Sequence, residues 1–191
     1  VMLSNYNIIL GSASSRRKEL LSDLGLRFSI KTSENDEEYP NHIEKTKIAE
    51  FLAKKKSDFI SPDLKGNFLL ITADTTVCRS NKILHKPKNK LDALNTLKIL
   101  SNSSHKVITG VCIKTNKREL TFSSETLVFF NKLSINDINH YIDTYKPFDK
   151  AGSYGIQEWI GSIGIEKIIG SYNNVVGLPT AELYQKLKLF I

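Results

Sequence analysis

Short apolar runs alternate with longer amphipathic stretches along this chain, and the alternation predicts an α/β protein. The strongest strand prediction covers residues 68–73, a nearly continuous apolar run that is expected at the centre of a sheet. Further strands are predicted at residues 6–10, 26–31, 106–114 and 119–130.

Apolar residues at helical spacing predict helices between these strands. The predicted helices cover residues 15–24, 43–59, 89–100, 134–145 and 179–190. Gly25 ends the first helix and Pro179 begins the last, at positions where these two residue types are favoured. A hairpin is predicted over residues 76–84, with its turn at Ser80 and Asn81.

Glycine is concentrated in one part of the chain, since six of the ten glycines fall within residues 151–177. We expect this stretch to need unusual backbone dihedrals or close backbone approach, as at a bound ligand, and not to form regular helix. An irregular surface connection is the alternative.

The overall composition is that of an ordinary globular protein, with 191 residues, 40% hydrophobic and 25% charged. No apolar run approaches the roughly 18 residues of a membrane helix, and no secretory signal is visible. Cys78 and Cys112 are too few for a disulfide scaffold or a four-cysteine zinc site. We therefore expect a cytoplasmic protein that does not associate with a membrane.

The formal net charge is +7, which favours an anionic partner. Nucleic acid, a membrane surface and a small phosphate compound all remain open at this point. Lysine far outnumbers arginine, so a compositional bias of the genome explains the charge equally well.

The clearest chemical signal follows the first predicted strand, at residues 10–17. A strand, a small-residue loop and a helix start form an anion site, because unpaired backbone N–H groups point outward there. Ser12 and Ser14 add hydroxyl groups, and Arg16 and Arg17 lie in the first helical turn. Cations there oppose the helix dipole at up to about 1 kcal/mol each, an arrangement that makes sense if they close on a phosphate. A solvated basic helix start is the alternative.

Two acidic positions are candidates for metal binding or for activating water. Glu37 lies in the acidic loop at residues 36–38, and Mg²⁺ prefers such carboxylates together with phosphate oxygens. Asp74 directly follows the most apolar strand, where ligands border open α/β sheets. A solvated loop and a turn-forming aspartate are the respective alternatives.

Other candidates contact phosphate or a base. Lys56 and Lys86 are long enough to reach phosphate oxygens, although most lysines in proteins do not. Gln157 offers both a donor and an acceptor, which suits the edge of a nucleobase. Tyr154 or Trp159 are candidates for stacking on a base, but a place in the core is at least as consistent with the sequence.

Taken in order, these stretches resemble the Maf family of nucleotide pyrophosphatases, also named septum formation inhibitors. The resemblance covers essentially the whole chain, so it is far more specific than any single tripeptide. The matching segments are Ser12-Ala13-Ser14-Ser15-Arg16-Arg17-x-x-Leu20-Leu21, Asp36-Glu37, Leu52-Ala53-x-x-Lys56, Ala73-Asp74-Thr75, Lys86-Pro87, residues 100–110, residues 149–157 and residues 173–179.

The resemblance implies an inosine-triphosphate-pyrophosphatase-like fold as a single domain over residues 1–191, with a long twisted mixed sheet and two lobes around a central cleft. It implies hydrolysis of a nucleoside triphosphate between the α- and β-phosphates with Mg²⁺ or Mn²⁺, and similarity to the branch that acts on dTTP and UTP. A homodimer is common in the family.

The resemblance also implies roles for individual residues. By that comparison Asp74 is the proton acceptor. In the mechanism that we expect from these residues, Glu37 and Asp74 together bring the divalent cation to the triphosphate. Arg16, Thr75 and Gln157 help set the choice of base. In the same expected mechanism, the residues that hold the triphosphate are Ser12, Ser14, Arg16, Arg17, Lys56 and Lys86. Whether Asp74 acts as base, as metal ligand or as both is left open.

Two departures from the family pattern stand out. Ser15 replaces a proline, which loosens the preset φ at the helix start but adds a hydroxyl. Glu158-Trp159 replaces a more common glycine after Gln157 and bears on base specificity.

Three other classes of function are alternatives to this one. A nucleic-acid-binding module typically has aromatic residues interleaved with a basic surface, or a recognition helix, and the sequence indicates neither. A cell-division regulator that acts by protein contacts is compatible with enzyme activity. A purine-directed inosine triphosphate pyrophosphatase would open with Ser-x-Asn-x-x-Lys, which is absent here.

Overall fold

A computed structural model describes residues 3, 5–32 and 38–190. The chain divides into two compact units. The first contains the chain up to Asp74 together with Thr109–Ser124 and the segment from Gly177 onward. The second contains Thr75–Ile108 and Glu125–Val176. The expectation of a single domain over the whole chain stays a prediction.

The described residues contain a seven-stranded mixed sheet, which confirms the α/β class. Its order is β2-β1-β3-β5-β6-β7, with β4 paired to β3. Strand β1 runs parallel to β2 and β3, whereas the β3–β4 and β6–β7 pairs are antiparallel. The strands are β1 Asn7–Leu10, β2 Ser29–Ile30, β3 Phe68–Arg79, β4 Lys82–Leu84, β5 Ser104–Lys114, β6 Glu119–Phe130 and β7 Ile165–Ile169.

Helices lie between most of these strands, whereas β3–β4 and β5–β6 are joined by short turns. Short 3₁₀ segments lie at Lys45–Lys47, Ser61–Asp63 and Ala151–Ser153. The α-helices are α1 Ser15–Ser22, α2 Ile48–Ile60, α3 Lys90–Leu100, α4 Ile135–Tyr145, α5 Trp159–Gly164, α6 Tyr172–Val176 and α7 Thr180–Phe190. None of the helices in the described residues is long and apolar enough to cross a membrane.

The core of the first unit joins β1 and β3 to α2. Ile9, Ile60 and Leu70 form one apolar cluster there. Helix α2 also lies directly on β5 at Gly110, where an added Cβ would come within 2.2 Å of the Glu50 backbone nitrogen. The helix can approach the strand this closely because glycine has no side chain at the contact.

The core of the second unit is built on α3 and α4. The buried side chains of Leu97, Ile138 and Tyr141 belong to one apolar cluster. Both helices start at side-chain caps: the Asn89 side chain accepts from the Asp92 N–H at 2.9 Å, and Ser134 forms a capping box with Asp137.

Local signals predicted most of these elements. Strand β3 is central in the sheet, as its apolar run indicated, and it extends to Arg79. The predicted turn at Ser80 and Asn81 is confirmed, since both residues have positive φ, 47° and 60°, as a tight hairpin turn requires. The strand predicted at residues 26–31 is only two residues long, since β1 pairs with it only at Ile9 and Leu10.

The expectation for the glycine-rich stretch is confirmed in part. Residues 151–177 do not form one regular helix, although they contain the two short helices α5 and α6 and strand β7. Unusual dihedrals occur at Gly152 and Gly170, where φ is 72° and 131°. Close backbone approach does occur: a Cβ at Gly161 would lie 1.9 Å from the Ile156 carbonyl oxygen. Glycine therefore suits this position of helix α5, because the backbone of the preceding turn leaves no room for a side chain there.

Candidate functional site

The start of helix α1 carries the predicted anion-binding residues. Strand β1 ends at Leu10, and Gly11 follows where a Cβ would lie 2.5 Å from the Thr72 methyl carbon. Ser14 caps the helix by accepting from the Arg17 N–H at 3.4 Å. The Ser12 hydroxyl accepts from the Ser14 N–H at 3.3 Å. These bonds order the loop that precedes the helix.

Arg17 is tied to the protein as well as placed near the helix start. Its Nε donates to the Gly177 carbonyl oxygen at 2.9 Å, and its Nη1 donates to the Ser12 hydroxyl at 3.3 Å. Arg16 is partly buried in the same turn, which contains no acidic residue. Two cations therefore lie at the positive end of the helix dipole, an arrangement that favours a bound anion.

Lys56 and Asp74 form an ion pair within the first unit. Helix α2 carries Lys56 and strand β3 carries Asp74, and the Lys56 ammonium donates to Asp74 Oδ1. Only 19% of the lysine side chain and 9% of the aspartate side chain are exposed. The sequence marked both residues but gave no sign that they pair. A largely buried carboxylate beside a cation is a chemically useful group, because little water competes for it.

The metal site was predicted at Glu37 and Asp74. Glu37 and its neighbour Asp36 lie outside the described residues, while Glu38 is exposed. Among the residues that the structure describes, no three His, Cys, Asp or Glu side chains group closely enough to hold a metal ion. The Asp74 carboxylate fits Mg²⁺ or Mn²⁺ nonetheless, because Mg²⁺ usually takes one or two carboxylates together with substrate phosphates.

Three predicted residues belong to the second unit. Thr75 follows Asp74 in β3 and is partly buried, whereas Lys86 is exposed in the segment between β4 and α3. Gln157 is exposed in the loop that precedes α5. An exposed amide at a loop is available to a ligand.

The two aromatic candidates have different surroundings. Tyr154 is a core residue, and its hydroxyl lies 2.7 Å from His105 Nε2. Burial raises the pKa of Tyr154 above its usual range and lowers the pKa of His105 to about 4. Trp159 is partly buried and packs edge-on against the His140 ring at 4.9 Å between centroids. For Tyr154 the core alternative is therefore correct.

Sequence reasoning missed a polar network beside Gln157. The Tyr141 hydroxyl donates to the Glu158 carboxylate and accepts from the Gly155 N–H at 3.0 Å. Lys150 lies 3.1 Å from the same carboxylate. The only sequence signal was a tyrosine within the apolar face of a helix, which alone does not indicate a polar partner.

The fold and site define an α/β protein with the parts of a phosphate-binding site: a cation-rich helix start and a buried lysine–carboxylate pair. The sequence model of the Maf-like protein family matches residues 7–190. The chain therefore belongs to the Maf-like protein family.

Relatives of similar length support this assignment. The chain is 48% identical to a dTTP/UTP pyrophosphatase of Parabacteroides distasonis, over 98% of each chain. It is 46% identical to a protein of the same name from Flavobacterium johnsoniae, over 99% of this chain and 97% of that one.

Among solved structures, the chain is similar to a nucleoside-triphosphatase (dITP/XTP pyrophosphatase) of Mycobacterium abscessus. The match covers 66% of this chain and 75% of that one, with 11% identity and a TM-score of 0.38. That similarity is too low to define a common fold.

Proposed function

We propose that this protein hydrolyses dTTP and UTP to the monophosphate and pyrophosphate, with a divalent metal ion. The observation that carries the proposal is the Lys56–Asp74 pair, in a chain whose relatives at 46–48% identity are named dTTP/UTP pyrophosphatases. The inosine-triphosphate-pyrophosphatase-like fold with its central cleft belongs to the same proposal.

Asp74 is the group proposed to act on the attacking water. Its carboxylate orients the water or takes its proton, while the water oxygen forms a bond to the α-phosphorus. The bond from that phosphorus to the oxygen that bridges the α- and β-phosphates breaks, and pyrophosphate leaves. Lys56 holds the carboxylate and supplies positive charge beside the reacting phosphate.

The residues at the start of α1 are proposed to hold the triphosphate. Ser12 and Ser14 are hydroxyl donors, and Arg16 and Arg17 are cations that add to the helix dipole. Arg17 also has a structural role, because its hydrogen bond to the Gly177 carbonyl oxygen fixes the start of the helix. Lys86 is proposed as a further phosphate contact.

Base choice is proposed to depend on Arg16, Thr75 and Gln157. The Gln157 amide can both donate to and accept from the edge of a pyrimidine. Glu37 and Asp74 would hold Mg²⁺ or Mn²⁺, which supplies charge neutralisation for the phosphates. The homodimer and the cytoplasmic location stay predictions.

The test is a panel of nucleoside triphosphates with Mg²⁺ or Mn²⁺, scored for pyrophosphate against orthophosphate. We expect pyrophosphate from dTTP and UTP, no turnover after chelation with EDTA, and a loss of at least about 100-fold in Asp74→Asn. Asparagine keeps an acceptor for Lys56, so the fold should survive. Asp63→Asn is the matched control, because Asp63 is an exposed aspartate whose ion pair with Lys31 lies on the surface. Orthophosphate as the first product, or no turnover of any triphosphate, would falsify the proposed chemistry.

A further inference from the structure

The loop that carries Gln157 is a turn closed by the backbone. The Glu158 N–H donates to the Gly155 carbonyl oxygen at 3.1 Å, so Gly155 and Glu158 are the first and last residues of a four-residue turn. Gln157 occupies the third position of this turn and is exposed. Its amide can hold one orientation toward a ligand only if the turn itself is held.

A single hydroxyl from helix α4 bridges the two ends of that turn. Tyr141 accepts from the Gly155 N–H at 3.0 Å and donates to the Glu158 carboxylate. Burial, with the hydrogen bond to Glu158, raises the pKa of Tyr141 above its usual range, so the hydroxyl keeps its proton. Donor and acceptor roles are thus fixed on both sides.

Charge and packing complete the arrangement. Lys150 lies 3.1 Å from the Glu158 carboxylate and is only 11% exposed, so the carboxylate is balanced by a cation within the same unit. On the far side of the turn, the Gly161 N–H donates to the Glu158 carbonyl oxygen at 2.9 Å. Helix α5 therefore begins from a residue that is held at both its backbone and its side chain.

We propose that Tyr141, Glu158 and Lys150 are positioning residues for pyrimidine selection, because they hold the turn that presents Gln157. This inference rests on the proposed function, and it assigns a role to Glu158 that its place next to Gln157 alone does not give. None of the three is proposed to touch the substrate. Their removal should loosen the base contact and leave the Lys56–Asp74 pair as it is.

The test compares Tyr141→Phe with Tyr145→Phe. Tyr145 lies one helical turn further along α4 and stacks on Tyr141 at 5.2 Å between centroids, so its variant controls for loss of a nearby tyrosine hydroxyl. For Tyr141→Phe we expect KM for UTP to rise about tenfold with kcat changed less than about twofold. The ratio of kcat/KM for UTP over CTP should fall about tenfold, since a misplaced amide no longer favours one base edge.

Glu158→Gln is the conservative second variant. It keeps an acceptor for the Tyr141 hydroxyl but loses the charge that pairs with Lys150, so its UTP-over-CTP ratio should lie between wild type and Tyr141→Phe. Assays are run well below the unfolding transition of each variant, because global destabilisation lowers the active fraction for UTP and CTP equally and leaves their ratio unchanged.

A readout that needs no turnover separates this proposal from the function on which it rests. Trp159 is the only tryptophan and follows Glu158 directly, so acrylamide quenching of its fluorescence should increase in Tyr141→Phe and stay at the wild-type level in Tyr145→Phe. If the wild type turns over UTP and the UTP-over-CTP ratio of Tyr141→Phe equals that of wild type, the positioning role is overturned. If the wild type hydrolyses neither dTTP nor UTP, the proposed function fails, and the selection role fails with it even where quenching increases.

Discussion

The guanidinium of Arg17 contacts the Gly177 carbonyl oxygen and the Ser12 hydroxyl, so this residue supports the fold as well as the proposed phosphate site. We expect Arg17→Lys to lower the free energy of unfolding by about 1.5–3 kcal/mol, because hydrogen bonds from a charged group are lost while the charge is kept. Urea denaturation measures this. Lys18→Ala, an exposed change in the same turn, should stay within about 0.5 kcal/mol of wild type. Wild-type stability of Arg17→Lys with a raised KM would assign Arg17 to phosphate alone.

His105 is a second residue whose surroundings decide its behaviour. Burial, with a smaller contribution from Arg79, lowers its pKa from 6.5 to about 4 in the folded protein. The unfolded chain thus binds a proton more readily, so stability present above pH 6.5 is lost as the pH falls toward 4. Because of this one group, the free energy of unfolding should fall by about 2 kcal/mol between pH 7 and pH 5.

Urea denaturation at pH 7 and at pH 5 measures this loss of stability in variants of two histidines. His105→Phe should reduce the loss between pH 7 and pH 5, whereas His42→Gln, at an exposed histidine, should retain it. An equal loss in His105→Phe and wild type would show that other groups cause the acid sensitivity.

Individual residues were predictable from sequence where their chemistry is local. Cations at the start of a helix indicated Arg16 and Arg17. Asp74 was indicated as a carboxylate that follows a buried strand, and that placement was wrong, because β3 continues to Arg79 and Asp74 lies inside it. Their partners were not predictable in the same way. The carbonyl that Arg17 contacts lies 160 residues further along the chain, and the Lys56–Asp74 pair depends on how α2 packs beside β3.

At the scale of elements, the contact between helix α2 and strand β5 is the most constrained. A Cβ at Gly110 would meet backbone atoms of Ala49 and Glu50 at 2.2–2.4 Å, and backbone cannot move as a flexible side chain does. We expect Gly110→Ala to destabilise the protein by more than about 3 kcal/mol. Activity should fall as well, because α2 carries Lys56.

Gly25→Ala is the matched control for that measurement. Gly25 has φ of +72°, and no atom of the described residues lies within 4 Å of its added Cβ, so alanine there should cost only about 1 kcal/mol of backbone strain. Thermal and urea unfolding of the two variants separate close approach from strain. Similar losses for both would contradict the close contact between α2 and β5.

Whole elements followed from sequence where a start or stop signal is local. Asn89 and Ser134 cap α3 and α4 as side-chain acceptors, and the Ser80-Asn81 turn ends β3. The two-residue length of β2 had no such signal, because it depends on how much of β1 pairs with it. Strand β7 was missed because glycines on both sides of it hid a five-residue strand that pairs with β6.

At the scale of the whole molecule, surface ion pairs change how the net charge of +7 is interpreted. Many lysines face carboxylates on the surface, as in the Lys90–Asp143, Lys106–Glu125 and Lys114–Asp58 pairs. Such pairs leave individual lysines less available to an external polyanion. The cations that matter for the proposed function are instead those at the start of α1, together with Lys56 and Lys86.

This distribution predicts how the protein responds to salt. A protein that neutralises six to ten phosphates of a duplex loses about 10³–10⁵-fold in affinity between 50 and 200 mM salt. For dTTP we expect kcat/KM to fall less than about tenfold over that range, since few charges are involved and partly buried ones are screened less. Fluorescence anisotropy with a labelled duplex, run beside the turnover assay, makes the comparison. Micromolar duplex binding with a steep salt slope and no nucleotide turnover would instead identify a nucleic-acid-binding module, because only a polyanion recruits enough cations at once to give that slope.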